Sequence, residues 1–394
     1  MIDLNIFKTS KTVLIQTIQG LISWIIIFYL GKNYGLSNLG SYLLIVSIVS
    51  VFQMIGNFSS EDYIISKATL LKKNSKLLLL NIIFISIIFN LLIYFLLLYL
   101  LLNNELLIFY SILGLNGIFG FNVLVENHFI GLRKVNKIFN IKFILSLIFI
   151  ILLILLNKNL KLNELYILVT AYNGLISLFY ILIIFKKFKI KLNYLQKYYT
   201  KYLSIFLSSF INSFRLRGSI IIVNIFLSQT NLGIYGLIVR FIEVFSLLLT
   251  ALLKVFYNKI IPYFKKKQNI LLLNFKFVIS FFVLNLLIFL SIFIKNNDFN
   301  NTGIFLILLI IFLSINGGLL MNFVILVRLF YINKNKNYLV LYSTFYTSIM
   351  SILIMIFLTS LLDVKGSIIY LFVNGYISLF IYSILNKIYE NKNK

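Results

Sequence analysis

The 394-residue sequence has no cysteine and only one proline, one tryptophan and one histidine, and just 10 of its residues are acidic. Without cysteine there is no disulfide framework, no thiolate metal site and no thiol nucleophile. The single histidine, His128, follows Glu126 and has no second histidine or cysteine to complete a metal site, so it reads as a solvated residue of a cytoplasmic loop. Glycine-rich phosphate cradles are missing as well, and nothing resembles an ATPase or a nucleophilic triad. No enzymatic activity, no metal and no cofactor is expected. The lone proline, Pro262, stands just beyond an apolar stretch, where it is expected to stop a helix. No apolar stretch is interrupted by proline, and Gly317-Gly318 is the nearest candidate for a flexible point.

What the chain does have is apolar length. It is 61% hydrophobic with a mean hydropathy of +1.01, and 12% charged. That is more apolar surface than one soluble core of this size could bury, so the chain belongs in a bilayer. Met1 to Lys11 does not read as a cleavable signal, because further apolar segments follow at once and no small-residue cleavage site closes the first. Twelve spans are expected: Val13–Leu30, Ser41–Gly56, Leu77–Leu102, Leu106–Val125, Phe139–Leu156, Leu165–Phe185, Leu203–Leu227, Leu232–Leu253, Ile270–Ile294, Gly303–Val327, Tyr338–Leu361 and Gly366–Leu385. The fold class is therefore all-α, a polytopic integral membrane protein.

The formal net charge of +26 sits mainly in short loops between spans. Lys8 and Lys11, Lys67 to Lys76, Arg133 to Lys137, Lys186 to Lys201, Lys259 to Lys267, Arg328 to Lys336 and the tail from Lys387 all fall on one side, leaving Lys32, Lys158, Lys161, Lys295 and Lys365 on the other. By the positive-inside rule both termini are cytoplasmic. Basic residues scattered between apolar spans form no single stripe, so nucleic acid is not an expected partner. Membrane lipids are, above all anionic headgroups at the lysine-rich loop from Lys186 to Lys201.

A repeat organises the chain. Asn38 to Ser47 reads N-L-G-S-Y-L-L-I-V-S and Asn231 to Arg240 reads N-L-G-I-Y-G-L-I-V-R, an offset of 231 − 38 = 193 residues. Six crossings separate the copies, and an even number restores orientation, so the halves are parallel repeats. Two six-helix lobes are expected, over residues 1–190 and 191–394, joined at the lysine-rich loop. The first copy ends in Ser47 where the second ends in Arg240.

Charge within the spans is read at Arg215 and Arg217 in the seventh and Arg240 and Glu243 in the eighth. Each arginine facing lipid would cost about 2.5–3.5 kcal/mol, so these side chains should face protein or a wet cavity. Arg240 and Glu243 are i, i+3 and share a face, which allows a self-neutralising pair. Three arginines against one glutamate still leave two positive charges in excess, which favours an anionic ligand. Ser208, Asn212, Arg215 and Ser219 form one polar stripe, while Arg217 points about 200° away from Arg215. Gln16, Gln19, Gly20 and Ser23 share a face of the first helix, and Thr344, Thr347, Ser348 and Ser351 a face of the eleventh. Such faces are either substrate lining or glue between helices.

Gly233-Ile234-Tyr235, Arg240 five residues after the tyrosine, Glu243 three after the arginine and Pro262 beyond the helix together resemble the eighth-helix signature of polysaccharide flippases. These are the O-antigen translocases of the multidrug/oligosaccharidyl-lipid/polysaccharide (MOP) exporter superfamily. Leu30-Gly31 through Gly40 and Tyr42, and Gly131-Leu132-Arg133-Lys134, add to the resemblance, which covers the whole chain. It implies a V-shaped, two-lobed transporter that moves undecaprenyl-pyrophosphate-linked oligosaccharide between leaflets by alternating access. It further implies polysaccharide polymerase and chain-length proteins as partners. In that frame the substrate-binding candidates are Arg240, Arg215, Arg217, Gln16, Gln19 and Asn212, with Glu243 as the ion-coupling candidate.

Two other readings compete. A drug or metabolite antiporter of the same superfamily would need cavity carboxylates, of which Glu243 is the one seen. A membrane-embedded glycosyltransferase or polysaccharide polymerase would need acidic residues at a membrane boundary and a sizeable external loop, yet the outer loops at Asn103 to Glu105 and Ser228 to Asn231 are very short. A major-facilitator transporter would share the six-plus-six plan, but its Gly/Asp/Arg loop is missing from Asn57 to Lys76.

Overall fold

A computed structural model of the chain describes residues 2–57, 75–100, 118–132, 136–156, 162–184, 217–266, 274–294, 303–333 and 336–392, with positions 64, 115, 134, 207–208, 210–212 and 214–215 besides. The described residues are helical nearly throughout and contain no strand. Among them the principal helices follow in order: α1 Ile2–Gly56, α2 Ser75–Leu100, α3 Phe121–Gly131, α4 Asn136–Leu156, α5 Leu162–Ile184, α6 Gln229–Lys266, α7 Phe275–Ile294, α8 Gly303–Asn333 and α9 Asn337–Lys392. A bilayer core cannot hydrogen-bond a bare backbone, and a helix satisfies every N–H and C=O within itself, which is why apolar spans of this length take this form.

Two of these helices are double. Within α1 the backbone turns at Gly35 (φ 82°), and within α9 at Asp363 (φ 50°). The candidate span Asn337–Ile388 is 52 residues long. At about 1.5 Å per residue that is far more than one crossing needs, and the turn at Asp363 divides it into two. The reversal is tight: a Cβ on Gly366 would lie 1.9 Å from the Leu358 carbonyl oxygen. Seven candidate membrane spans are found among the described residues, and each of the twelve expected spans has helical residues among its described positions. The protein is a multi-pass, all-helical membrane protein.

Two expectations are corrected. Helix α6 does not stop at Pro262 but continues to Lys266; the φ that the proline ring fixes is itself helical, and its cost is the one backbone hydrogen bond to the preceding turn that it cannot donate. Gly317 and Gly318 are not a flexible point, since α8 runs unbroken through them. A Cβ on Gly317 would meet Ile242 at 2.9 Å and one on Gly318 would meet Phe245 at 2.8 Å. They are small because α6 lies against them.

The chain folds into two compact units, Met1–Ile22 with Tyr42–Gly218, and Ser23–Ser41 with Ser219–Lys394. Residues 23–41 thus pack with the second unit, while the lysine-rich joint expected at Lys186 to Lys201 lies outside the described residues. In the first unit α3, α4 and α5 pack through Leu124, Val125, Ile138 and Leu165, and Tyr42 stacks on Tyr166 at 5.6 Å. In the second unit the core is formed by α6, α7, α8 and α9, with Phe289 stacked on Phe372 at 4.5 Å and Phe282 edge-on to Tyr376 at 5.0 Å.

Candidate functional site

In the second unit, α6 carries the charge that distinguishes the two copies of the repeat. Arg240 is 8% exposed and its Nη1 donates to Glu243 Oε2 at 2.7 Å. The i, i+3 spacing brings the two onto one face, as the sequence implies. This pairing uses one edge of the guanidinium. The buried Arg240 Nε has no hydrogen-bond partner. A buried donor left without an acceptor costs about 1–3 kcal/mol, more when the group is charged. Phe241, the next residue, packs edge-to-face with the Trp24 ring at 4.1 Å. The corresponding residue of the first copy, Ser47, is buried and donates to the carbonyl of Leu43 in its own helix at 2.7 Å.

Arg215, in the first unit, is 6% exposed, and its Nη2 donates to Asn212 Oδ1 at 2.9 Å. The two lie three residues apart on the polar stripe, with Ser208 also buried. Arg217 is half-buried. Gln16 and Gln19 lie on α1, but their side chains are outside the described residues. On the polar face of the eleventh span Thr344 and Thr347 donate to the carbonyls of Val340 and Ser343 one turn back in their own helix, while Ser351 Oγ donates to Asn374 Oδ1 of the following span at 3.0 Å.

The sequence reading missed a second buried charge pair. Lys142 on α4, 2% exposed, places Nζ 2.7 Å from Glu126 Oε1 on α3, and the Tyr180 hydroxyl of α5 donates to the same oxygen at 3.1 Å. Ser146, one turn on from Lys142, meets the Tyr172 hydroxyl at 2.9 Å. A polar spine thus binds three helices of the first unit. Glu126 and His128 are not loop residues, because α3 extends to Gly131 and His128 is 3% exposed. The signal available in the sequence was Lys142 itself, inside the span Phe139–Leu156, since a lysine there needs a partner.

No protein-family model matches the sequence, and no curated protein matches it. Solved structures do. The chain is similar to the MATE multidrug transporter DinF-BH in a ligand complex, with a TM-score of 0.63 and 12% identity over 98% of this chain and 95% of that one. It is similar also to an outward-facing multidrug resistance MATE family transporter of the MOP superfamily, with a TM-score of 0.59 and 12% identity over 99% and 97%. A MOP superfamily transporter from Pyrococcus furiosus Vc1 (DSM3638) gives a TM-score of 0.55 and 11% identity over 97% and 95%. The chain has the fold of these transporters along nearly its whole length.

Proposed function

We propose that this protein is a flippase that carries an undecaprenyl-pyrophosphate-linked oligosaccharide across the bacterial cytoplasmic membrane, with Arg240 contacting the pyrophosphate. Arg215, Arg217, Asn212, Gln16 and Gln19 are proposed as further contacts and Glu243 as the coupling residue. The observation that carries the reading is the buried Arg240 guanidinium, which pairs through Nη1 and leaves its Nε donor without an acceptor. An anionic oxygen is the ligand that satisfies such a donor, and arginine's planar fork matches phosphate geometry.

Drug export is the second reading, supported by neighbours described as multidrug transporters. Against it, the carboxylates Glu126 and Glu243 are each already bonded to a cation, Lys142 and Arg240. The Pyrococcus furiosus neighbour is described as having a binding pocket of reverse polarity that suggests a different function. A basic interior in this chain is in keeping with a fold whose pocket polarity varies among its members. Polysaccharide polymerase and chain-length proteins are proposed partners.

The test is a clean deletion in a strain with no second flippase. The expected result is lipid-linked oligosaccharide trapped on the cytoplasmic leaflet and loss of surface glycan. Normal surface glycan together with raised sensitivity to cationic drugs would turn the reading to drug export.

A further inference from the structure

Trp24 is the only tryptophan of the chain, and it stands at a depth where tryptophan is out of place. A common level is set where the two copies of the repeat meet: a Cβ on Gly40 would lie 2.2 Å from the Gln229 carbonyl oxygen, and one on Gly233 would lie 2.2 Å from that of Leu36. The backbone turn at Gly35 and the start of α6 at Gln229 are therefore near one level. Trp24 comes 35 − 24 = 11 residues before that turn and Arg240 240 − 229 = 11 residues into α6, each roughly 16 Å below it at about 1.5 Å per residue. That is the middle of a hydrocarbon core of roughly 30 Å. Tryptophan belongs at the membrane–water boundaries, where its ring meets apolar chains and its N–H meets polar groups.

The surroundings of Trp24 reproduce such a boundary at mid-membrane. The indole packs edge-to-face with Phe241 at 4.1 Å, which puts it beside Arg240, the preceding residue of α6. Arg240 Nε has no hydrogen-bond partner, and among the described residues none accepts a bond from Trp24 Nε1. The indole is half-buried, so part of it is open to a ligand. On one side it adjoins Ser23, which closes the polar face of the first helix. One turn on, Phe28 is 66% exposed and apolar. Trp24, Phe28, Arg240 and Phe241 all belong to the second unit. Two donors without acceptors thus lie next to an open apolar surface, and a molecule that suits both carries an oxyanion joined directly to an apolar chain.

We propose that Trp24 is the second contact of the Arg240 site and reads the junction of a lipid phosphate ester: its N–H donates to a phosphate oxygen beside Arg240 Nε, and its ring covers the first carbons of the chain. This rests on the reading of Arg240 as the pyrophosphate contact, and it adds the residue that tells a lipid ester from a free anion.

The test uses the full-length protein in detergent with three probes: geranylgeranyl pyrophosphate, inorganic pyrophosphate and geranylgeraniol. Excitation at the red edge of absorption, beyond the tyrosines, reports on Trp24 alone. Geranylgeranyl pyrophosphate should shift its emission to shorter wavelength, and neither the free anion nor the alcohol should do so. In Trp24→Phe, which keeps a ring against Phe241, the preference for geranylgeranyl pyrophosphate over pyrophosphate, measured by calorimetry, should fall about tenfold, since less apolar surface is covered. An emission that ignores a bound lipid ester, or answers the alcohol equally, overturns the proposal and does not depend on any variant folding. An unchanged preference in Trp24→Phe overturns it too. If Arg240→Gln abolishes binding while Trp24 is silent, the Arg240 reading stands and this one falls. If neither phosphate binds, or both bind as well to Arg240→Gln, the Arg240 reading falls and takes the proposal with it.

Discussion

Lys142 Nζ lies 2.7 Å from Glu126 Oε1, with the two side chains 2% and 8% exposed. Removing one member of a buried ion pair strands the other charge. Lys142→Met and Glu126→Gln should each destabilise the protein by about 3–5 kcal/mol, while Lys142→Met with Glu126→Leu should recover most of the loss. Tyr180→Phe, which removes one bond to the same carboxylate, should cost about 1–3 kcal/mol, since the carboxylate keeps Lys142. Thermal unfolding in one detergent, variant by variant, checks this. Additive losses in the double variant would mean that the pair is not coupled.

For Arg240 and Glu243 the same cycle separates binding from scaffolding. If Arg240 holds an anionic headgroup, Arg240→Lys keeps partial activity because the charge stays and the fork is lost, and Arg240→Gln abolishes glycan export at normal expression. If it serves only Glu243, either single neutralisation lowers expression, and Arg240→Gln with Glu243→Gln restores both expression and export. Surface glycan and membrane protein level, read side by side, decide. An active double variant removes Arg240 from the site and leaves Arg215 and Arg217.

Asp363 adopts φ 50°, ψ −130°, a region that side chains rarely enter. Such a residue stores about 1–3 kcal/mol of strain. Asp363→Gly should therefore raise the melting temperature, whereas Gly35→Ala, placed where φ is +82°, should lower it. A melting temperature unchanged by Asp363→Gly would show that the aspartate side chain itself compensates for its backbone.

Topology reporters fused after Lys76, Lys191, Lys267 or Lys394 should read cytoplasmic, and those after Lys32, Lys161 or Lys295 external. An external reading at Lys191 would break the parallel relation of the repeats.

The crossings were legible because a bilayer demands about 20 apolar residues per helix and this chain supplies them with little interruption. The Arg240–Glu243 pair was legible because helical spacing alone places i and i+3 together. What escaped depended on partners remote in sequence. Hydropathy falls at Val125, so Glu126 and His128 read as loop; α3 goes on because Lys142 and Tyr180, 16 and 54 residues away, satisfy Glu126. Gly317-Gly318 reads as flexible in isolation, and only the nearness of Ile242 and Phe245 shows that the glycines serve packing. The same holds for Gly40 and Gly233, whose spacing betrayed a repeat but not that the copies meet.

Helices α4 and α7 contain 21 and 20 residues. At about 1.5 Å per residue they are roughly 31 and 30 Å long, close to the roughly 30 Å hydrocarbon core of a typical bilayer. Aliphatic side chains such as Ile144, Ile151, Ile154 and Leu155 lie exposed along α4, and Leu284 and Leu287 along α7. Helix α8, at 31 residues, has length to spare. The described lengths of α4 and α7 thus match such a core, and mismatch with a bilayer of another thickness costs a fraction of a kcal/mol per Å. Lipid chain length is thus a lever on the fold from outside the protein, with one helix in each unit to act on.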